Sequence, residues 1–441
     1  MLGVGPHGPL GPLPTVPDEA CGDLGLVIGP TGAGVTTLSG ERAALAVLVS
    51  VDGLGPMTLG RLIVAAGSAQ AVLGLARARD GARAIGALGA SRAWEGRAID
   101  SGLPAQIAAA AVDQDRILDG ILGADVQVLV LADPGYPPRL RAIALPPHVL
   151  FVRGDAGALS GARMIAVVGT RRPSPAGREL AGRIGRSLVR AGAAVASGLA
   201  VGIDGAAHEA VVGEGGLTVA VIAGGHDRLY PAAHARLARA IVESGGAIVS
   251  EMAPDVAATR GTFPRRNRLI SGLSEATIVV EAPPRSGALT TAAWALEQGR
   301  GCFLVPGALD APMSAGCLAF LREAGGEARI VAGIPELLDD LGLLGAAGLS
   351  PQASGPVPRS ERGPGTYVAR GPSRAAVLSG LEPTPRRIAE TLLAGATTVD
   401  ELVAATDLPV AAVLAALTRL ESADLVSGAY GRYALAGALA A

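Results

Sequence analysis

Short apolar runs alternate with longer stretches of helical periodicity between about residue 163 and residue 341. Six of these runs are nearly continuous in Val, Ile, Ala and Leu, which is typical of strands that are buried on both faces. They cover residues 164–168, 193–196, 218–223, 247–250, 276–281 and 301–305. Strands separated by helices form a mostly parallel sheet that carries helices on both faces. The pattern therefore predicts an α/β fold with an extended Rossmann-like parallel-sheet core.

The chain on either side of this core follows other patterns. Residues 41–125 show helical periodicity and predict an N-terminal helical domain. Residues 126–154 look like a linker with a strand at each end, the second at 149–153, so we place the core domain at residues 126–341. Residues 375–441 predict a C-terminal winged-helix domain. Its helices are predicted at 386–393, 399–405 and 409–421, and its two wing strands at 425–427 and 430–435.

Two segments are rich in Gly and Pro and predict no regular structure. Residues 1–40 are expected to be disordered or to come from a start site assigned too far upstream. Residues 342–374 are expected to be a flexible linker. The first segment contains GPTGAGVTT at residues 29–37, which imitates the phosphate loop GxxxxGK[ST]. Val35 stands where that loop needs its lysine, so we do not expect an ATP site there.

Composition excludes several classes of protein. Hydrophobic residues make up 49% of the chain, but no uninterrupted apolar run of about 18 residues appears, so no membrane span is predicted. The N-terminus also lacks the basic-then-apolar layout of a signal peptide. Cys21, Cys302 and Cys317 are scattered, without a CxxC pair or a histidine at ligand spacing. This usage predicts a reduced cytoplasm, with neither a disulfide framework nor a metal site.

The chain is nearly neutral as a whole but carries a local excess of positive charge. The formal net charge is −2, yet residues 161–272 contain 14 arginines against 8 acidic residues, an excess of 6. The chain contains no lysine, which a GC-rich genome explains, so any contact with phosphate must come from arginine.

Two glycine-rich turns follow the first two core strands. Gly169 ends the first strand and precedes Arg171 and Arg172. The second strand is followed by the turn SGLAVGID, which begins with Ser197 and Gly198. Strand ends that open into glycine-rich backbone before a helix make an anion-binding crevice at the switch point of an open sheet.

Two further segments at the strand ends carry candidate anion ligands. The first is FPRRNR, which we predict to be an arginine-bearing turn whose side chains could match phosphate oxygens or simply form a solvated surface. Its candidates are Phe263, Arg265, Arg266, Asn267 and Arg268. The second is EAPPRSGALTT, in which Ser286, Gly287 and Thr290 could bind a phosphate at a helix N-terminus or could merely cap the helix.

Three weaker patterns leave alternatives open. VDGLG at residues 51–55 has the glycine spacing of a helix–hairpin–helix, and a plain turn between two helices would look the same. Asp204 and His208 stand four residues apart on a predicted helix, as an acid–base pair or as a capping aspartate bonded to a core histidine. The candidate recognition helix of the winged-helix domain carries Arg419 against Glu421, so it could contact DNA or protein.

The motifs of the core resemble one family. VVGTRRP, SGLAVGIDGAAH, AVIAGGHDRLYP, IVSEMAP, FPRRNRLISGLS, VVEAPPRSGALTTAAWALEQGR and VPG follow one another between about residue 164 and residue 325. In this order they resemble the DprA/Smf family of bacterial DNA-processing proteins. The helical front and the winged-helix tail agree with that family's three-part layout.

The resemblance implies a Rossmann-like domain that binds single-stranded DNA, usually as a homodimer. It also implies that the protein protects incoming strands and helps to load RecA recombinase during natural transformation. By motif, it also implies a set of residues that line the DNA pocket. They are Arg171, Ser197, Gly198, Gly225, Arg265, Arg266 and Arg268. One departure is visible, because the family often has Ser or Thr and then Asn where Cys317 and Leu318 follow Gly316 here.

The sequence thus predicts a cytoplasmic, non-catalytic binder of single-stranded DNA without cofactor or metal. Tyr230 and Phe263 are the nearest candidates for stacking on bases, and the low aromatic content of 2% favours sequence-tolerant binding to phosphates. One alternative is a nucleotide-processing enzyme, such as a phosphoribohydrolase on a related sheet, although no PGGxGT loop is found. Another is that the winged helix makes the main DNA contact and the central domain is a dimer scaffold.

Overall fold

The computed structural model describes residues 38, 40–90, 99–343, 378, 381–394, 398–422, 425–429, 432–435 and 439. Contacts between residues divide the chain into two compact units, Met1–Pro351 and Gln352–Ala441. The GPTGAGVTT segment and the predicted linker at 344–374 lie outside the described residues.

The core of the first unit is a sheet of nine strands. They are β1 (Gln127–Val130), β2 (Val149–Gly154), β3 (Arg163–Val168), β4 (Ala193–Ser197), β5 (Thr218–Val221), β6 (Ala247–Ser250), β7 (Ala276–Val279), β8 (Gly301–Leu304) and β9 (Arg329–Ile330). Their order across the sheet is β1-β2-β6-β5-β4-β3-β7-β8-β9. All six predicted core strands are present, which confirms the Rossmann-like α/β core.

The sheet is parallel from β6 to β9 and antiparallel at one edge. β2 pairs antiparallel with β6, in the register of Phe151 with Ser250, and β1 pairs antiparallel with β2. The passage at residues 126–154 is therefore more than the linker that its sequence suggested. Its two strands were predicted correctly, and both extend the main sheet.

Helices cover both faces of the sheet. They are α7 (Pro138–Arg141), α8 (Pro175–Arg190), α9 (Ile203–Gly213), α10 (Ala235–Glu243), α11 (Thr262–Leu273), α12 (Gly287–Glu297), α13 (Ala315–Glu323) and α14 (Ile334–Asp340). Alternate residues of β3 separate the two layers, because strand side chains point to opposite faces. Ile165 and Val167 pack with α8, α9 and α14, whereas Met164 and Ala166 pack with α7, α11, α12 and α13. Through Ile241, α10 packs on the α8–α9 side.

Six helices precede the sheet. They are α1 (Gly40–Val49), α2 (Pro56–Ala66), α3 (Ala69–Arg77), α4 (Gly81–Leu88), α5 (Leu103–Val112) and α6 (Gln114–Gly123). Their apolar faces share a core with β1 and β2, to which Val149 and Phe151 contribute. The VDGLG segment forms the turn between α1 and α2, with Pro56 opening the second helix after Gly55. The turn has the predicted place, and its contact with DNA stays a prediction.

The second unit is a winged helix. It contains α15 (Pro383–Leu393), α16 (Val399–Thr406), α17 (Val410–Ser422) and the antiparallel pair β10 (Val426–Ala429) and β11 (Arg432–Leu435). Ile388, Leu402 and Leu417 from the three helices meet in its core. Thr398 and Glu401 form a capping box that fixes the start of α16. Each element agrees with the sequence prediction.

No single helix within the described ranges is long and apolar enough to cross a bilayer. The bent pair α2–α3, with an 82° break, meets the length and composition requirement only when its two helices are taken together.

Candidate nucleic-acid interface

The candidate site lies where β3, β4 and β7 end at one edge of the sheet. The chain reverses its order at β3, with β4 beside it on one side and β7 on the other. This arrangement brings the GTRR turn next to both following strand ends. The Thr170 N–H donates to the Glu281 carbonyl at 2.7 Å, and the Ile203 N–H donates to the Thr170 carbonyl at 3.2 Å. Open parallel sheets bind their ligands at such a switch point.

The crevice between β3 and β7 is already filled by a carboxylate of the protein. Glu281 Oε2 accepts the Ser174 N–H at 2.9 Å, and Glu281 Oε1 accepts the Ser174 hydroxyl at 2.6 Å. Ser174 in turn caps α8, because its Oγ accepts the Gly177 N–H at 2.9 Å. A helix N-terminus attracts anions, and here Glu281 supplies one. The start of α8 is therefore occupied by a carboxylate of the protein itself, and anion binding between the turns after β3 and β4 stays a prediction.

A small pocket opens one strand further along, at the ends of β3 and β4. Its volume is about 60 Å3, and it is lined by Arg171, Gly198, Ala200, Val201, Tyr230, Pro231 and Phe263. The guanidinium carbon of Arg171 lies 4.9 Å from the centre of the Phe263 ring. The Tyr230 ring meets the Phe263 ring edge-on, with centroids 5.6 Å apart. Tyr230 is 54% exposed, and Arg171 and its neighbour Arg172 are exposed, so the pocket offers cations and ring faces to solvent.

The floor of the pocket is held by a buried charge pair. Arg266 is 5% exposed, and its Nη1 donates to the carbonyls of Gly198, at 2.7 Å, and Val221. Asp204 is also buried and accepts the Gly198 N–H at 3.1 Å. A Cβ on Gly198 would lie 2.6 Å from Arg266 Nη2 and 2.7 Å from Asp204 Oδ2, so only glycine fits between them.

Burial dominates the titration of this pair. Desolvation lowers the pKa of Arg266 to about 10, against the opposing attraction of Asp204. Desolvation likewise raises the pKa of Asp204, although Arg266 and three backbone N–H groups favour its charged form. Arg266 remains cationic near neutral pH, but its guanidinium is enclosed. The structure gives it the position of a support beneath Gly198 and not of an exposed phosphate ligand.

The FPRRNR segment is the beginning of a helix. α11 starts at Thr262, so the prediction of a turn is wrong. Pro264 lies in the first turn of this helix, where proline is tolerated because its missing N–H would have no partner. Glu251 then pairs with two arginines, with Oε2 2.6 Å from Arg268 Nη2 and Oε1 3.1 Å from Arg265 Nε.

These arginines differ in their access to solvent. Burial lowers the pKa of Arg268, against the attraction of Glu251, and its side chain is only 4% exposed. Arg265 is 38% exposed at the same carboxylate. Of this segment, the structure therefore leaves Arg265 and Phe263 within reach of a ligand.

Three other predicted residues shape the backbone of this edge. Ser197 is fully buried and donates its hydroxyl to the Val167 carbonyl at 2.6 Å. Gly225 is packed against the loop after β6, where a Cβ would lie 2.0 Å from the Ala253 carbonyl oxygen. Gly169 is half-buried, and its N–H bonds to the Asp204 carboxylate. The sequence predicts that Ser197 and Gly225 line the pocket, whereas this geometry favours a structural role for both.

The residues at the start of α12 cap that helix. The Ser286 hydroxyl accepts the Ala288 N–H at 3.3 Å, and Asn267 Nδ2 donates to the Gly287 carbonyl at 3.0 Å. Asn267 is buried between α11 and α12, and Thr290 is half-buried. The capping alternative explains Ser286, and contact of Ser286, Gly287, Thr290 and Asn267 with DNA stays a prediction.

Asp204 and His208 do not form an acid–base pair. Asp204 binds loop amides, while His208 Nδ1 lies 2.7 Å from Thr218 Oγ1, which itself donates to the Val195 carbonyl. Burial lowers the pKa of His208 to about 3. Neither of the two sequence alternatives describes them. Within the described part of the chain, no group of three or more His, Cys, Asp or Glu residues could hold a metal ion.

In the winged-helix unit, the basic residue of the candidate recognition helix is paired. Arg419 Nη1 bonds to the Glu382 carboxylate at the start of α15. Contact of this helix with DNA or with protein remains untested.

Comparison with known proteins identifies the family. The family model "DNA recombination-mediator protein A" matches residues 127–342, and that of the DprA winged helix domain matches residues 372–431. The DNA processing protein DprA of Bacillus subtilis is 39% identical over 208 residues, which are 47% of this chain and 70% of that protein. Protein Smf of Synechocystis is 34% identical over 316 residues, 68% of this chain and 78% of that protein. The chain belongs to the DprA/Smf family.

A solved member of the DprA/Smf family has the same core. The X-ray structure of DprA from Streptococcus pneumoniae superposes with a TM-score of 0.53 at 29% identity and covers 69% of this chain and 99% of that one. The departure from the family pattern after Gly316 falls on α13, where Cys317 is fully buried. Burial raises the pKa of its thiol to about 11, so Cys317 acts as an uncharged core residue.

Proposed function

We propose that this DprA/Smf protein binds single-stranded DNA at the β3–β4 pocket and catalyses no reaction on it. The observation that carries the proposal is the exposed Arg171 stacked on Phe263, with Tyr230 edge-on beside them. A pocket of about 60 Å3 is far smaller than the ~300–1,000 Å3 that ordinarily enclose a small ligand. It suits one phosphate or base edge of a polymer that continues over the surface.

The proposed binding mode is led by phosphates. Arg171 and Arg172 would neutralise phosphate oxygens, and each contact would release counterions, so affinity should fall with salt. Phe263 and Tyr230 would offer ring faces to bases without reading their edges. Arg266 and Asp204 would support the backbone at Gly198 from below. The other predicted ligands that are exposed to solvent, above all Arg265, would extend the same surface.

The deciding experiment is a titration with fluorescent oligothymidine. We expect Arg171→Ala and Phe263→Ala each to weaken binding by about tenfold, since a base–aromatic stack is worth about 1–3 kcal/mol. Arg322→Ala on α13 is the matched control, because Arg322 is an exposed arginine that does not line the pocket. Wild-type affinity in both pocket variants would refute this site.

The alternative function, a nucleotide-processing enzyme, finds little support at the same edge of the sheet. Glu281 occupies the helix N-terminus where a nucleotide phosphate would bind, and the buried acids Asp204 and Glu251 are engaged by backbone amides or arginines. Incubation with nucleoside monophosphates tests the rival directly. Release of free base at a rate that follows enzyme concentration would favour it.

We further propose that the protein acts as a homodimer in the cytoplasm and loads RecA onto the bound strand during natural transformation. Family membership supports this, since the matching model is that of a recombination mediator. The buried, unpaired thiols of Cys302 and Cys317 are compatible with a reduced compartment. Light scattering tests the dimer. RecA nucleation on DNA already coated with single-strand-binding protein tests the loading, which the protein should accelerate.

A further inference from the structure

Several arginines without an ion pair lie on α8 and in the turn before it. Elsewhere Glu251 pairs with Arg265 and Arg268, Asp227 pairs with Arg153, and Glu214 pairs with Arg190. Among the described residues, no ion pair engages Arg172, Arg178, Arg183 or Arg186. These pairs therefore leave α8 and the turn before it as a surface on which arginines outnumber acidic residues.

The same surface is continuous with the pocket. From Arg171 to Arg186 the chain carries five arginines and one acidic residue, Glu179, a net charge of +4. Arg171 lines the pocket, and α8 begins at Pro175, four residues later. The buried side of α8, with Ala181, Ile184 and Leu188, faces the sheet and α9. Arg183 projects from the opposite side, and Arg178 is exposed in the first turn of the helix.

The competing basic helix is less favourable. α10 lies on the same layer, beyond α9, and presents exposed Arg236 and Arg239. From Asp227 to Glu243, however, three arginines face two acidic residues, a net charge of +1. Charge density thus favours α8 as the path of a polyanion that leaves the pocket.

We infer that α8 is a second binding surface for the phosphate backbone of the strand held in the pocket. The inference rests on the proposed function and extends it from one anchoring point to a track. The twelve residues from Pro175 to Arg186 are separated by eleven helical rises, which span about 17 Å at about 1.5 Å per rise. That length corresponds to about five nucleotides at about 3.4 Å each. Short strands fill the pocket alone, and longer strands also occupy α8.

The test compares oligothymidines of about 4 and about 15 nucleotides, the range of sites used by single-strand binders. Arg178→Gln with Arg183→Gln removes two exposed charges from the track. Arg236→Gln with Arg239→Gln removes the same charge from α10 and serves as the control. All three proteins are titrated at several salt concentrations.

Wild-type protein and the α10 control should show the same salt dependence for the long strand. In the α8 variant, the slope of log affinity against log salt should be smaller by about 1.4, or about sevenfold in affinity over a fourfold range of salt. Short-strand affinity should be equal in all three proteins. An unchanged long-strand slope in the α8 variant, or an equal loss in the α10 control, overturns the track. Wild-type protein that fails to bind even the short strand overturns the proposed function instead.

Discussion

Acid should destabilise the first unit through two buried histidines. His208 and His226 are fully or almost fully enclosed, and burial lowers their pKa to about 3 and about 4, from 6.5. One nitrogen of each ring has a partner, Thr218 Oγ1 for His208 and the Ile248 carbonyl for His226. The other nitrogens, His208 Nε2 and His226 Nδ1, have no partner among the described residues. A protonated ring would therefore bury an N–H without an acceptor.

The sign and size of the effect follow from linkage. The pKa of each histidine is lower in the folded than in the unfolded chain. Its contribution to the free energy of unfolding is therefore complete above pH ~6.5 and is lost as the pH falls towards the folded pKa. The loss is about 1.4 kcal/mol per pH unit for each group. At pH ~5 this amounts to about 2 kcal/mol for each histidine and about 4 kcal/mol for both. The total free energy of unfolding of a typical domain is about 5–15 kcal/mol. The raised pKa of Asp204 acts in the opposite sense, so the test must compare variants.

Urea unfolding at about pH 7.5 and about pH 5 measures the loss. Trp294 is half-buried on α12 and the second unit contains no tryptophan, so tryptophan fluorescence follows the first unit. His208→Asn and His226→Gln each keep an N–H near the position of the bonded ring nitrogen. Each should remove about 2 kcal/mol of the acid-induced loss, and the double variant should remove nearly all of it. A double variant that loses as much stability as wild type would show that other groups cause the acid effect.

Three further outcomes are expected. Gly198→Ala should cost about 1–3 kcal/mol in urea unfolding, because its Cβ would collide with Arg266 and Asp204; a neutral result would mean that the buried pair is free to move. Glu281→Ala should let pyrophosphate raise the melting temperature, which it should not do for wild type, and no response in the variant would contradict the assignment of Glu281 as a resident anion. Deletion of Gln352–Ala441 should change single-strand affinity by less than about twofold, since the residues that line the proposed pocket all belong to the first unit, whereas lost binding would transfer the contact to the winged helix.

The fold was predictable because its signals are local. Each core strand is an apolar run, and each glycine-rich break falls between a strand and a helix. The winged helix could be placed for the same reason. The order of strands is not local information. It needs pairing between segments far apart, and the extra strands β1 and β2 joined the sheet through contacts that the pattern of residues 126–154 does not encode.

The candidate site was predictable in position and less so in the roles of its residues. Arg171, Phe263 and Tyr230 do meet at the pocket, as residues near the strand ends should. Arg266 resembled an exposed ligand because its partner Asp204 lies 62 residues away in the chain. The role of Glu281 was missed for a similar reason, since it meets Ser174 only through the pairing of β7 with β3. The one local signal was an acidic residue at the end of a buried strand.

Glu281 also bears on what competes with DNA in a living cell. Nucleoside triphosphates and free phosphate are abundant there, and an open helix N-terminus at the sheet edge would be a target for them. The carboxylate is tethered beside Ser174, so no dilution removes it, and a diffusing phosphate would have to displace two hydrogen bonds against like charge. The proposed binding of a strand at the neighbouring pocket would thereby be separated from the nucleotide supply.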